Sequence, residues 1–132
     1  MIKVLLIDDT PEIAELLTYA LRDHGYDVVA TGFDTSVGDL VAEHRPAAVV
    51  LDCSVYQMSE TLFDAIRNDP DTASLPIVIV SDTPEKADAS LRRRDAERVL
   101  LIPKPFAGSH IARALSQLLG SPGPEAPSPL VP

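Results

Sequence analysis

Five short apolar runs, separated by stretches with helical spacing, constrain the fold of this 132-residue chain most strongly. The runs are rich in Val, Ile and Leu and span residues 4–7, 28–30, 47–51, 77–80 and 99–102. Because they are continuous rather than alternating, they are typical of strands buried on both faces. Strand then helix, five times over, predicts an α/β fold with a five-stranded, doubly wound parallel sheet.

The first helical segment has both ends marked. Thr10 fits as N-cap, Pro11 fits the first turn, and Gly25 is suited to close the helix. Its apolar side chains repeat at helical spacing, which predicts one core-facing stripe of Ile13, Leu16, Leu17, Ala20 and Leu21. Weaker helical patterns cover residues 35–44, 60–68, 84–94 and 107–119.

Composition limits the organisation of the chain and its partners. We expect one domain over residues 1–120 and a proline-rich tail or linker over residues 121–132. A net charge of −9 disfavours direct nucleic-acid binding. No run approaches the roughly 18 apolar residues of a membrane span, and no signal-peptide pattern is present, so we expect a cytoplasmic protein. Cys53, the one cysteine, is expected to be a buried core residue.

Reactive side chains follow four of the five apolar runs. Asp8 and Asp9 follow the first, Asp52 the third, Ser81 the fourth and Lys104 the fifth. Because parallel strands end at one edge of the sheet, these groups are expected to meet there. Threonines at the two helix starts that follow the first and fourth strands are expected to serve as caps, which would leave these acids and the serine hydroxyl available for chemistry.

Three carboxylates brought together repel one another unless a cation lies between them. Mg²⁺, which prefers oxygen ligands, is the natural candidate. Lys104 and Ser81 suit the oxygens of a phosphoryl group, whose transfer depends mainly on positioning and charge neutralisation. Asp52, alone at its strand end, is then the candidate nucleophile for aspartyl-phosphate chemistry.

In this pattern the chain resembles the receiver domains of two-component response regulators over about residues 2–119. The resemblance rests on four motifs in order: Val-Leu-Leu-Ile-Asp-Asp at 4–9, Val-Val-Leu-Asp at 49–52, Ile-Val-Ile-Val-Ser at 77–81 and Lys-Pro-Phe at 104–106. It implies a CheY-like, flavodoxin-like (βα)5 fold with strand order 2-1-3-4-5. It also implies that the chain is not a conventional enzyme, because such a module catalyses only its own phosphorylation and dephosphorylation.

Carried over by position, the resemblance implies that Asp9 binds Mg²⁺ directly, that Asp8 helps through water, and that the Ser54 carbonyl completes the ligands. Asp52 would bind the metal and accept a phosphoryl group from a sensor histidine kinase or phosphotransfer protein. Ser81 and Lys104 would bind the phosphoryl oxygens, and the peptide bond after Lys104 would be cis. The implied further partners are a downstream output protein or domain and a second copy of the chain in a homodimer.

Several positions depart from the family pattern. Asp82 replaces a small residue after Ser81, Leu101 replaces a common aromatic, Pro103 precedes the lysine, and the loop after Asp52 is unusual. These departures leave open an alternative, a receiver-like adaptor that binds partners without regulated phosphorylation. A phosphohydrolase resembling haloacid dehalogenases is disfavoured because the first strand lacks Asp-x-Asp, and a flavodoxin because the first loop lacks a phosphate cradle.

Overall fold

The computed structural model describes residues 2–32, 36–53, 56–104 and 108–120. Strands and helices alternate in the order β1 (Ile2–Asp8), α1 (Pro11–Asp23), β2 (Tyr26–Thr31), α2 (Val37–His44), β3 (Ala48–Asp52), α3 (Tyr56–Asn68), β4 (Ile77–Ser81), α4 (Pro84–Arg93), β5 (Val99–Pro103) and α5 (Gly108–Leu119). The strands are all parallel, in the order β2-β1-β3-β4-β5. This confirms the predicted fold class and strand order.

Helices cover both faces of the sheet. Along β1, Val4 and Leu6 point into a core that includes residues of α1 and α5, whereas Leu5 and Ile7 point into a second core beneath α2 and α3. All the residues of β3 and β4 are buried. Burial on both faces of the sheet therefore explains the continuous apolar runs, as the sequence indicated. Within the described ranges, no helix has the length and apolar character needed to cross a membrane.

Helix α1 spans the predicted segment, but its predicted core-facing stripe is partly wrong. Leu17 and Leu21 are buried, whereas Ile13 is 36% and Leu16 is 65% exposed. The helix is rotated so that Ala14, rather than Leu16, packs against the core beside Leu17. With Ala14 on the face that packs against the core, the larger Ile13 and Leu16 of the expected stripe are turned outward.

The helix starts also differ from expectation. Thr10 and Thr83 occupy the N-cap positions, but neither side chain makes a capping hydrogen bond. Instead, the Thr10 N–H donates to Asp8 Oδ1 at 2.9 Å, and the Thr83 N–H donates to Ser81 Oγ at 3.0 Å. Side chains two residues upstream compete well for such N–H groups. The expectation that Asp8 and Ser81 are relieved of local hydrogen bonding was therefore wrong.

Candidate functional site

Two carboxylates lie side by side at the carboxyl edge of the sheet. Asp8 and Asp52 end neighbouring strands and are paired directly in register. Each is only 2% exposed. Asp8 Oδ2 and Asp52 Oδ2 are buried and accept no hydrogen bond from the part of the chain that the structure describes. Buried carboxylate oxygens in this state are costly, so the site is built to receive a positively charged or hydrogen-bond-donating group.

The environment of Asp8 favours its neutral form. Burial, together with smaller contributions from the neighbouring Asp52 and Asp9, raises the pKa of Asp8 to about 7, against the lowering effect of the hydrogen bond from the Thr10 N–H. A carboxyl group that resists ionisation beside a second carboxylate is the arrangement that a bound cation relieves.

Lys104 supplies the one ion pair that the described residues make with Asp52. Its Nζ lies 3.0 Å from Asp52 Oδ1, and about 30% of the lysine side chain remains exposed. Partial burial lowers the pKa of Lys104, but its hydrogen bond to Asp52 and the charges of Asp52, Asp82 and Asp8 outweigh this and raise it overall. The amine is therefore a permanent positive charge at the mouth of the site.

Backbone pairing between β4 and β5 brings Ser81 and Lys104 to the same edge. Ser81 pairs with Pro103 in register, and the Lys104 N–H donates to the Ser81 carbonyl at 2.9 Å. Pro103 thus leaves the pairing intact, because the next residue supplies the donor. Ser81 is 8% exposed, with Oγ 3.2 Å from Thr83 Oγ1, whereas Asp82 is exposed.

The donor set fits a magnesium ion. No three His, Cys, Asp or Glu side chains among the described residues form a ready metal cluster. Mg²⁺, however, keeps several waters and is commonly held by one or two carboxylates. The paired Asp8 and Asp52 offer for that role two oxygens that have no partner among the described residues. Asp9 is half-buried beside them and has contacts of its own. Ser54 and the Lys104–Pro105 peptide bond lie outside the described residues, as do positions 121–132, so those predictions stay predictions.

Cys53, next to the candidate phosphoacceptor, is not part of the chemistry. It is 6% exposed, and burial raises the pKa of its thiol to about 11, with smaller contributions from the nearby aspartates against a hydrogen bond from Ser59. A thiol so protonated is unreactive at neutral pH.

A polar bridge between α3 and α4 was not predicted. Arg94, at the end of α4, pairs with Asp64 and Glu60 of α3, and Ser90 joins the same group. The available signal was the i, i+4 spacing of Glu60 with Asp64 and of Ser90 with Arg94, which places each pair on one helix face.

Comparison with known proteins defines the class. The family model of the response regulator receiver domain matches residues 4–116, so the chain belongs to that family. It is 30% identical over 114 residues to a protein-glutamate methylesterase/protein-glutamine glutaminase of Nitrosospira multiformis, covering 83% of this chain and 32% of that protein. It is 32% identical over 89 residues to the DNA-binding response regulator MtrA of Mycolicibacterium smegmatis, covering 67% and 38%. The chain therefore spans about a third of the length of these two relatives.

Solved structures share the fold. A sensor protein from Polaromonas sp. JS666 superposes with a TM-score of 0.79 at 24% identity, covering 90% of this chain and 96% of that one. The receiver domain of the sensor histidine kinase PA1611 from Pseudomonas aeruginosa PAO1, described with magnesium in its active site cleft, gives 0.72 at 23% identity, covering 90% and 98%. The chain is thus a receiver domain of the two-component system class with a CheY-like fold.

Proposed function

We propose that this receiver domain accepts a phosphoryl group on Asp52 from a sensor histidine kinase or phosphotransfer protein, with Mg²⁺ as cofactor, and relays the signal by a conformational change. The proposal rests mainly on the two oxygens of Asp52. Lys104 holds Oδ1 at 3.0 Å, while Oδ2 is buried without a partner among the described residues. Oδ2 would then be available to bind the magnesium ion, and Oδ1, oriented by Lys104, would act as the nucleophile.

In the proposed reaction, an Asp52 oxygen attacks the phosphorus of a phosphohistidine. A P–O bond forms as the P–N bond breaks, and the leaving imidazole nitrogen takes up a proton. Lys104 neutralises charge on the phosphoryl oxygens, and the Ser81 hydroxyl donates a hydrogen bond to one of them. Asp8, Asp9, Asp52 and the Ser54 carbonyl would hold the magnesium ion, which supplies further charge neutralisation when bound.

The surface of α1 supports a protein phosphodonor. A groove of about 420 Å³ runs from Asp8 and Asp9 along α1 to Tyr19 and across to Gly32. The neighbouring Leu16 is 65% and Tyr19 is 59% exposed. Tyr19 lines this groove, and an exposed apolar side chain beside a reactive site suits a docking surface. We propose that the phosphodonor protein docks here, that the output partner or a second copy binds elsewhere, and that the protein acts in the cytoplasm.

Phosphorylation can be tested directly by intact-protein mass spectrometry. With Mg²⁺ and a small phosphodonor such as acetyl phosphate, the wild-type chain should gain the mass of one phosphoryl group, and Asp52→Asn should gain none. Asp71→Asn, which removes an exposed carboxylate in the turn after α3, is the matched control and should behave as wild type. Absence of the adduct in the wild type, together with no spectral response to beryllofluoride and Mg²⁺, would contradict the proposal.

The alternative function, an adaptor without regulated phosphorylation, is favoured by two observations. Asp82 adds a negative charge near Lys104, and Leu101 packs partly buried against the core where the family often has an aromatic side chain. Partner binding that is unchanged by Mg²⁺ and by Asp52→Asn would favour the adaptor over the phosphorylated receiver.

A further inference from the structure

Helix α4 is weakly anchored by apolar contacts. Its buried residues are Ala87 and Ser90, both small, and Leu91 is only partly buried. By contrast, α3 buries three large side chains, Leu62, Phe63 and Ile66. Because hydrophobic stabilisation scales with buried apolar area, α4 gains much less from the core than α3 does.

A partly buried polar bridge ties α4 to α3 instead. The Arg94 guanidinium donates to both carboxylate oxygens of Asp64, at 2.7 and 3.0 Å, and lies 3.4 Å from Glu60 Oε2. The Ser90 hydroxyl donates to the same Glu60 oxygen at 2.6 Å. Arg94 also donates to the Ser90 carbonyl at 3.2 Å, which fastens the last turn of α4. Bidentate arginine–carboxylate pairs are among the stronger polar contacts in proteins.

A narrow cavity lies between α3 and α4 next to this bridge. It has a volume of about 20 Å³, which is room for roughly one water molecule. The lining includes Cys53, Ile79 and Ser81 on the sheet side and Ala87 and Ser90 on α4. The face of α4 that covers the end of β4 is therefore not closely packed. The polar contacts of Arg94 and Ser90, which also line the cavity, hold the helix in place.

We propose that Arg94 is a latch: α4 opens away from α3 as a local unit, and the Arg94 bridge to Asp64 and Glu60 sets how often it does so. Elements with few buried apolar contacts open at lower free energy than the core. Opening exposes Cys53 and the side of Ser81 that lines the cavity. The latch does not depend on phosphorylation of Asp52, and its test is separate from that of the proposed function.

Cys53 provides a clean reporter, since it is the only cysteine of the chain. The thiol is buried in the closed state, so a disulfide reagent such as DTNB reaches it only after opening. Arg94→Gln should raise the native-state labelling rate about 5- to 30-fold, the factor that corresponds to loss of a bridge of this kind. The matched control is Arg92→Gln, which removes an exposed pair with Asp88 on the same helix and should label as wild type.

Two further measurements separate local opening from global unfolding. Labelling of Arg94→Gln should depend on urea much less steeply than global unfolding does, and amide exchange should accelerate in α4 but not in β1 or β3. Raised salt should speed labelling of the wild type more than that of Arg94→Gln. Asp64→Asn, a milder change, should accelerate labelling in the same direction. The latch is wrong if Arg94→Gln and Arg92→Gln label at the same rate, or if labelling follows global unfolding.

Discussion

Helices α1 and α4 start alike and are held in place differently. Both begin at the proline of the sequence Asp-Thr-Pro-Glu, and in both the side chain of the residue before that motif, Asp8 or Ser81, accepts the N–H of the threonine. Helix α1 then buries Leu17 and Leu21 in the core, whereas α4 buries only small side chains and relies on Arg94. The shared start serves the site, because it places a carboxylate and a hydroxyl at the sheet edge. The two helices differ in how firmly the core holds them, and α4 is the one proposed to open.

Truncating apolar side chains in α1 and α4 should give the largest difference in unfolding free energy between the two helices. Leu21→Ala should lower the free energy of unfolding by about 2–5 kcal/mol, because Leu21 is fully buried in α1. In α4, Leu91→Ala should cost only about 1 kcal/mol, since that side chain is partly exposed. Urea denaturation measures both, with the exposed Leu16→Ala as the control expected near zero. Equal losses at Leu21 and Leu91 would contradict the contrast between the two helices.

Asp8 and Ser81, which accept the threonine N–H groups at the two helix starts, differ in charge. The effect of pH on stability should therefore involve Asp8 and not Ser81. Because the folded-state pKa of Asp8 is raised from 3.8 to about 7, folding binds a proton there. This contribution to stability is complete below pH 3.8, is lost as pH rises toward 7, and is absent above it. Asp8→Asn keeps an acceptor for Thr10 and should stabilise the metal-free protein at pH 8 by up to about 4 kcal/mol.

Magnesium should reduce the gain in stability that the same substitution gives. Millimolar Mg²⁺ should raise the melting temperature of the wild type at pH 8 and raise that of Asp8→Asn much less. Ser81→Ala, the matched change at the start of α4, should leave the pH dependence of stability unchanged. A wild type whose stability is flat between pH 4 and 7 would contradict the assignment of Asp8.

Helix α1 has a second anchor, a close contact with α5. A Cβ added at Gly108 would lie 2.4 Å from the Ala20 Cβ, so Gly108→Ala should cost about 1–3 kcal/mol of unfolding free energy. Gly32→Ala is the control, because nothing lies within 4 Å of its Cβ position. A neutral result at Gly108 in thermal or urea denaturation would show that α1 and α5 separate easily.

Much of this architecture could be predicted from the sequence. The parallel sheet and its shared edge followed because buried parallel strands have a distinctive composition and must end together, which also located Asp52 and Lys104. The strand order was implied by the resemblance to receiver domains. The buried face of α1 could not be predicted, because Leu16 and Ala14 lie on adjacent stripes, and tertiary packing selects between them. The Arg94 bridge joins residues 30 positions apart, so its geometry depends on how α3 and α4 sit on the sheet.

Asp82 precedes Thr83 at the start of α4, in the position that Asp9 occupies before Thr10 at the start of α1. Its charge helps raise the pKa of Lys104, the amine that is proposed to bind the phosphoryl oxygens, and a negative charge there should repel an incoming phosphoryl dianion. Asp82→Asn should therefore speed phosphorylation by acetyl phosphate about 2- to 5-fold at low salt, and less at high salt. The rate of adduct formation measures this, with Glu85→Gln in the next turn as control. An unchanged rate would place Asp82 outside the approach path.

The ends of the two helices give the smallest expected effect. Two residues beyond α1, Gly25 adopts φ 91°, whereas at the same place after α4, Asp95 adopts φ 51°. Left-handed backbone is unfavourable for residues with a Cβ, although Asp tolerates it better than most. Asp95→Gly should therefore stabilise the protein by about 0.5 kcal/mol, and Gly25→Ala should destabilise it by about 1 kcal/mol. A clear loss of stability in Asp95→Gly would mean that the Asp95 side chain, and not only Arg94, helps to hold the end of α4.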